Sequence, residues 1–176
     1  MARPTWILKP PSLLVPQLVR DAELTRLHAL LLLNRSISDG PSARAFLSAR
    51  LTQMADPMLL SDMDRATASV VASIDHRRPI TIYGDYDADG LTSTALLWNF
   101  FLELGASPFY YVPHRLKEGY GLNEHAVREI AKKRGGLLLT VDCGISNRDE
   151  IDLAGKLGLE MVVTDHHQLP RAFDPI

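Results

Sequence analysis

From Pro79 onward the chain alternates short, unbroken apolar runs with stretches whose apolar residues recur at helical spacing. "PITIYG" (79–84), "SPFYYVP" (107–113), "LLLTVD" (137–142) and "LEMVVTD" (159–165) read as strands. Between them, "GLTSTALLWNFFLELG" (90–105), "LNEHAVREIAKKRGG" (122–136) and "SNRDEIDLAGKLG" (146–158) read as helices. Asn123 suits an N-cap, and the basic last turn followed by glycine suits a helix end. Strand and helix alternating at this interval make βαβ units, hence a parallel sheet in an α/β fold. The strands are apolar throughout rather than every second residue, as burial on both faces requires.

Residues 1–75 carry a different pattern and predict a helical N-terminal region, with the α/β domain occupying 76–176. "VPQLVRDAELTRLHALLLLNRS" (15–36), "PSARAFLSARL" (41–51) and "SDMDRATASVVASI" (61–74) have apolar residues at helical spacing. Ser61, followed by Asp62 and Asp64, is a candidate start for the last of these, and "DPMLLSDMD" (56–64) reads as the connection into it. No repeat or low-complexity tract interrupts the chain.

Composition narrows the class without naming a partner. The 176 residues are 46% apolar and 23% charged, enough for one domain with a proper core or one domain plus a small appendage, and the net charge of -2 argues neither for nor against nucleic acid. The single cysteine, Cys143, excludes an internal disulfide framework and fits a reducing compartment. "LHALLLL" (27–33) is far short of the roughly 20 residues that span a bilayer, and "MARPTWILKPPS" lacks the apolar core of a signal peptide. The expectation is a cytoplasmic protein without a membrane partner.

In open α/β sheets ligands bind at the carboxyl ends of the strands. There the first strand exits into Asp85, Asp87 and Asp89, the second into His114 and Arg115, the third into Asp142, and the fourth into Asp165, His166 and His167. Three like charges as close as those in "DYDADG" (85–90) raise one another's pKa unless a cation lies among them. A calcium loop of the EF-hand type does not fit. Counting from Asp85 puts Gly90 at position six, but position twelve is Leu96 where a bidentate Glu is needed, and the segment follows a strand. A solvated acidic turn capping the next helix accounts for one aspartate, with Asp89 the candidate, but not for three. Carboxylates mixed with histidine suit Mn²⁺, Mg²⁺ or a related ion. Two such ions ~3.5–4 Å apart would absorb the repulsion and build a hydrolytic centre for phosphoesters. Asp142, at the end of a central strand, is placed to bridge them.

Other residues carry less. There is no P-loop, G-x-G-x-x-G or G-x-S-x-G. Cys143 has no dedicated base and reads as a small strand-end residue. "KEGYGL" (117–122) is either a glycine-rich turn or a loop touching substrate, in which case Arg115, Tyr120 and Gly121 are the candidate contacts. Lys132, Lys133 and Arg134 read as a solvated helix end, and His28, His76 and His125 as surface residues.

"YGDYDADG", "EGYGL", "VDCGI" and "TDHH", in this order, resemble the DHH phosphoesterase superfamily, and more narrowly its branch of bacterial single-strand-specific exonucleases. The helical lead-in, with "RAFL" and "DPMLLSDMDRA", is similar to the same branch, so the resemblance runs from about Trp6 to Ile176. It implies 5′→3′ hydrolysis of single-stranded DNA to mononucleotides in recombination and repair, dependent on Mn²⁺ or Mg²⁺. By the resemblance the metal-binding positions are Asp85, Asp87, Asp89, Asp142 and His166, with Asp87, Asp89, Asp142 and His166 as direct ligands. His167 would face the scissile phosphate and Asp165 would orient the histidines. Asp142, His166 and His167 make the implied catalytic set.

Two departures qualify the resemblance. Small-nucleotide members carry a histidine four positions before the first aspartate of their D-x-D; counting back from Asp87 gives Tyr83, which favours the exonuclease branch. Members of that branch also continue past "AFDPI", with a further aspartate ligand and a DNA-binding module, so the chain is expected to be an N-terminal fragment with a metal cage one ligand short. A phosphoesterase acting on short oligonucleotides or small nucleotides, and a non-catalytic scaffold relative, are the alternatives. Repair proteins such as a helicase or a single-strand-binding protein are the partners the exonuclease reading implies; the oligomeric state stays open.

Overall fold

The structure, a computed structural model, describes residue 10 and residues 12–168. Trp6, where the resemblance begins, and the closing "AFDPI" lie outside the described residues. The chain divides into two compact units, 1–57 and 58–176.

In the first unit, α1 (Val15–Asp21), α2 (Arg26–Leu33) and α3 (Gly40–Ser48) share a core of Val15, Leu18, Ala29, Leu32 and Ala43. The long apolar stretch at 15–36 is two helices, because Glu23 takes a left-handed conformation and Thr25 then caps α2 through the His28 N–H. Asp39 caps α3 in the same way through the Ser42 N–H.

In the second unit, β1 (Ile80–Gly84), β2 (Phe109–Tyr111), β3 (Leu137–Val141) and β4 (Glu160–Thr164) form one sheet in the order β2-β1-β3-β4, every pair parallel. The α/β expectation holds. β1 and β3, the two central strands, are buried at all five positions. One face packs Ile80, Ile82, Leu137, Leu139 and Val141 against α5 (Ala88–Glu103) and α4 (Met63–Asp75). The other packs Tyr83 and Leu138 against α6 (Glu124–Lys133) and α7 (Arg148–Lys156). Ala66, Val70 and Ile74 of α4 pack on the sheet core, so this helix belongs with the sheet and not with the lead-in. Its start also differs from the reading: the N-cap is Asp62, in a left-handed conformation and paired with Arg65 at 3.1 Å, and not Ser61.

Asn123 caps α6 as expected, accepting from the Ala126 N–H at 2.8 Å. No helix among the described residues is long and apolar enough to cross a membrane.

Candidate metal centre

The acidic stretch after β1 does three things at once. Asp85 continues the strand inward and is 1% exposed; its Oδ1 is a buried acceptor with no partner among the described residues. Asp87 is the N-cap of α5, accepting the backbone N–H groups of Asp89 at 2.9 Å and Gly90 at 3.1 Å. The cap is therefore Asp87, where the reading offered Asp89. Gly90 is needed for close approach: a Cβ there would meet the Asp85 carbonyl oxygen at 2.3 Å and its nitrogen at 2.6 Å. Without a side chain at that position, the first turn of α5 can lie directly on the end of the strand.

At the end of β3, Asp142 has φ +62°, a conformation uncommon outside glycine but among the more accessible ones for Asp and Asn. Its N–H donates to the Thr164 carbonyl at 3.0 Å, which ties it to the end of β4. Its carboxylate is 5% exposed and lies 2.9 Å from His166 Nε2.

At the end of β4, Asp165 accepts the Ile145 N–H through Oδ2 and the His167 N–H through Oδ1, both at 3.0 Å, and the same Oδ1 lies 2.7 Å from His167 Nδ1. Burial works against the Asp165 charge, but the His167 and Ile145 N–H groups and the His167 ring outweigh it and hold the carboxyl below its usual range. The same contact with Asp165 raises the His167 imidazole.

Two groups of donor atoms result, each within 4.8 Å: Asp85, Asp87 and Asp142 form one, and Asp142, His166 and His167 the other. Asp142 belongs to both. Hydrogen bonds from Gly90 and then Asp89 hold Asp87 below its usual range, whereas burial and then the facing Asp87 charge push Asp142 above it. Facing carboxylates displaced in opposite directions show the repulsion that a divalent cation relieves. Oxygen and imidazole donors without thiolate, together with the unpartnered Asp85 oxygen, fit Mn²⁺ or Mg²⁺. A cavity of about 510 Å³ adjoins the centre, lined by Asp89, Thr92, Ser93, Leu96, Asp142 and His166 among others.

Several expected residues fall outside both groups. Asp89 is exposed on the first turn of α5 and lines the adjoining cavity. His114 shapes its own loop, receiving the Leu116 N–H on Nδ1. Arg115 lies over the Tyr86 ring at 5.2 Å. Tyr120 reaches the centre, its hydroxyl 3.3 Å from the Asp142 carbonyl and 3.1 Å from His167 Nδ1. Gly121 is held from within, its carbonyl accepting the Tyr83 hydroxyl. Cys143 is fully buried and burial pushes its thiol up to about 12, which makes it a packing residue rather than a nucleophile.

Residues 79–176 match the family model described as the DHH family, N-terminal domain. The chain belongs to the DHH family. Among curated relatives of this DHH chain, the single-stranded-DNA-specific exonuclease RecJ of Bacillus subtilis (strain 168) is 39% identical over 162 residues, 92% of the chain and 21% of the relative. The RecJ of Thermus thermophilus is 43% identical over 108 residues, 61% of the chain and 16% of the relative. The chain thus spans about a fifth of the length of these relatives or less. A crystal structure of exonuclease RecJ bound to manganese matches with 40% identity and a TM-score of 0.60, covering 66% of the chain and 30% of that structure. RecJ from Thermus thermophilus in complex with Mn²⁺ matches with 28% identity and a TM-score of 0.64, covering 94% of the chain and 23% of that structure.

The DHH site also depends on residues that the motifs did not single out for support. Tyr83, Asn123 and Glu118 link β1 to the loop that carries Tyr120: Asn123 Nδ2 donates to the Tyr83 hydroxyl at 3.1 Å and approaches Glu118 at 3.4 Å. Glu118 in turn accepts the Tyr111 hydroxyl and the His114 N–H. The one signal in the sequence is a tyrosine inside a buried strand, since a buried phenol needs a partner.

Proposed function

We propose that the protein carrying this chain is a metal-dependent exonuclease that hydrolyses single-stranded DNA 5′→3′ to mononucleotides, in recombination and repair. The supporting observation is Asp142, a nearly buried carboxylate common to two donor groups of opposite composition, one all carboxylate and one largely imidazole. Bound Mn²⁺ or Mg²⁺ would polarise the phosphoryl group and supply activated water. Asp85, Asp87 and Asp142 would hold one ion, and Asp142 with His166 the other. Asp165 fixes the His167 ring through Nδ1, and the other ring nitrogen would meet the scissile phosphate or the ion beside it. Asp89, on the rim of the adjoining cavity, is proposed as a further ligand. Arg115 and Tyr120 are the candidate contacts to the strand. The names of the RecJ relatives and the manganese complexes among the solved structures support the substrate and the ion.

A helicase or a single-strand-binding protein is the proposed partner, because the substrate must first be separated from its complement. The lone, buried Cys143 thiol fits a reducing, cytoplasmic setting.

The test is hydrolysis of 5′-labelled oligonucleotides by the full-length protein. Mononucleotides should appear from single strands in Mn²⁺, with duplex resisting and chelator abolishing release. Intact single strands alongside rapid hydrolysis of very short or cyclic nucleotides would overturn the reading.

A further inference from the structure

A second cavity lies on the flank of the sheet, away from the metal centre. Its volume is about 350 Å³, and its walls are β1, β2 and α6. Thr81, Phe109, Tyr111, Glu129, Lys133 and Arg134 are among the residues that line it. Thr81 is four residues before Asp85 along β1, roughly 13 Å from it at strand rise. β2 is an outer strand of the described sheet, so no strand lies beyond it among the described residues.

The chemistry of these walls is specific. Arg134, the residue that ends α6, lies with its guanidinium carbon 3.6 Å from the centre of the Phe109 ring. This layers a planar cation on an aromatic, and because Arg134 is exposed it can take a further flat ring. Lys133 brings an ammonium group and is ion-paired to Glu129, whose carboxylate can accept N–H groups. Thr81 is 2% exposed, and its hydroxyl has no hydrogen-bond partner among the described residues.

We infer that this flank binds a nucleotide, its base layered on the Arg134–Phe109 stack and its phosphate against Lys133. A carboxylate in the wall disfavours purely anionic ligands, while a flat ring bearing N–H donors and a phosphate engages the Arg134–Phe109 stack, Glu129 and Lys133. The volume falls in the range of small-ligand sites. The source is either a released mononucleotide or a nucleotide within a longer single strand. The inference rests on the nuclease reading for that source only; the site itself needs no metal.

The test is amide NMR of the 176-residue chain in chelator, titrated with thymidine 5′-monophosphate and, separately, with an oligothymidylate. Shifts should appear at Phe109–Tyr111 and Glu129–Arg134. Arg134→Ala should weaken binding about tenfold. Arg134→Lys, which keeps the charge but not the plane, should weaken it nearly as much. Lys133→Ala should reduce the salt slope of strand binding by about 0.7. Binding of both ligands points to the free mononucleotide as the source, and binding of the oligomer alone points to the strand. Wild-type affinity in Arg134→Ala and Lys133→Ala, or shifts confined to the Asp85–Gly90 and Asp142–Ile145 turns, would overturn the inference. Because no metal is present, failure here leaves the hydrolysis test untouched, and failure of hydrolysis leaves this one standing.

Discussion

His166 Nε2 lies 2.9 Å from Asp142 Oδ1, joining the end of β4 to the end of β3 across the edge of the sheet where the motifs meet. The two side chains differ sharply in exposure, 70% for His166 and 5% for Asp142. The buried carboxylate is the fixed member and the imidazole the one open to solvent. Substitutions at Asp142 should therefore reach both donor groups, and those at His166 only one.

Asp142→Asn should keep the fold, because Asn tolerates the left-handed backbone and removes a charge that faces Asp87. Adding Mn²⁺ should raise the melting temperature of the wild-type chain, as binding to the native state requires, and leave this variant unmoved. Both variants should lose hydrolysis, and Asp142→Ala should be less stable than Asp142→Asn by about 1 kcal/mol, since Ala is poorly suited to positive φ. Thermal melts with and without the ion, beside a hydrolysis assay on the full-length protein, check both.

Asp165→Ala removes a nearly buried carboxylate that holds the Ile145 and His167 N–H groups. Leaving such donors unpartnered costs about 1–3 kcal/mol. Denaturant unfolding should show that loss, together with weaker Mn²⁺ binding, although Asp165 belongs to neither donor group.

Gly90→Ala places a Cβ against the backbone of Asp85. That backbone cannot yield as a flexible side chain would, so the helix start must shift, at a cost of about 1–3 kcal/mol. Asp87 moves with it. Reduced stability accompanied by weakened ion binding is the expected outcome, measured by calorimetry.

Thr81→Val replaces a buried, unpartnered hydroxyl with a methyl group of the same shape. The free chain should be more stable by about 1 kcal/mol, because the desolvation of the hydroxyl is no longer uncompensated and Val favours strands. Denaturant midpoints compare the two.

Glu118 gives a pH dependence away from the ion ligands. The Tyr111 hydroxyl, then the His114 N–H, hold its carboxyl below the usual 4.5. Its folded value is below its unfolded one, so its stabilisation is full above about 4.5 and is lost as the pH falls through the lower, folded value. Glu118→Gln should melt earlier than the wild type at neutral pH, and the gap should close in acid.

Much of this was legible in the sequence because strands buried on both faces have to be apolar throughout. That rule located β1 and β3 to within two residues at either end. The outer strands β2 and β4 are only partly buried, against the expectation of burial on both faces, and were found by their apolar runs alone. Roles within the edge were harder to read. Asp85, Asp87 and Asp89 are chemically alike, and only the folded turn separates the buried acceptor, the helix cap and the solvent-facing member. The break between α1 and α2 was hidden for a similar reason, since Glu23 in a left-handed conformation has no signature of its own. α4 looked like part of the lead-in because periodicity reports an apolar stripe without saying which core it meets.

Asp87 is both the residue that opens α5 and a donor in the acidic group, so the two roles cannot be separated in time. Fraying of the helix start would dismantle half of the ion site, and a bound ion would suppress that fraying. Hydrogen exchange at the Asp89 and Gly90 amides should consequently slow with manganese concentration, making two backbone protons a direct gauge of occupancy.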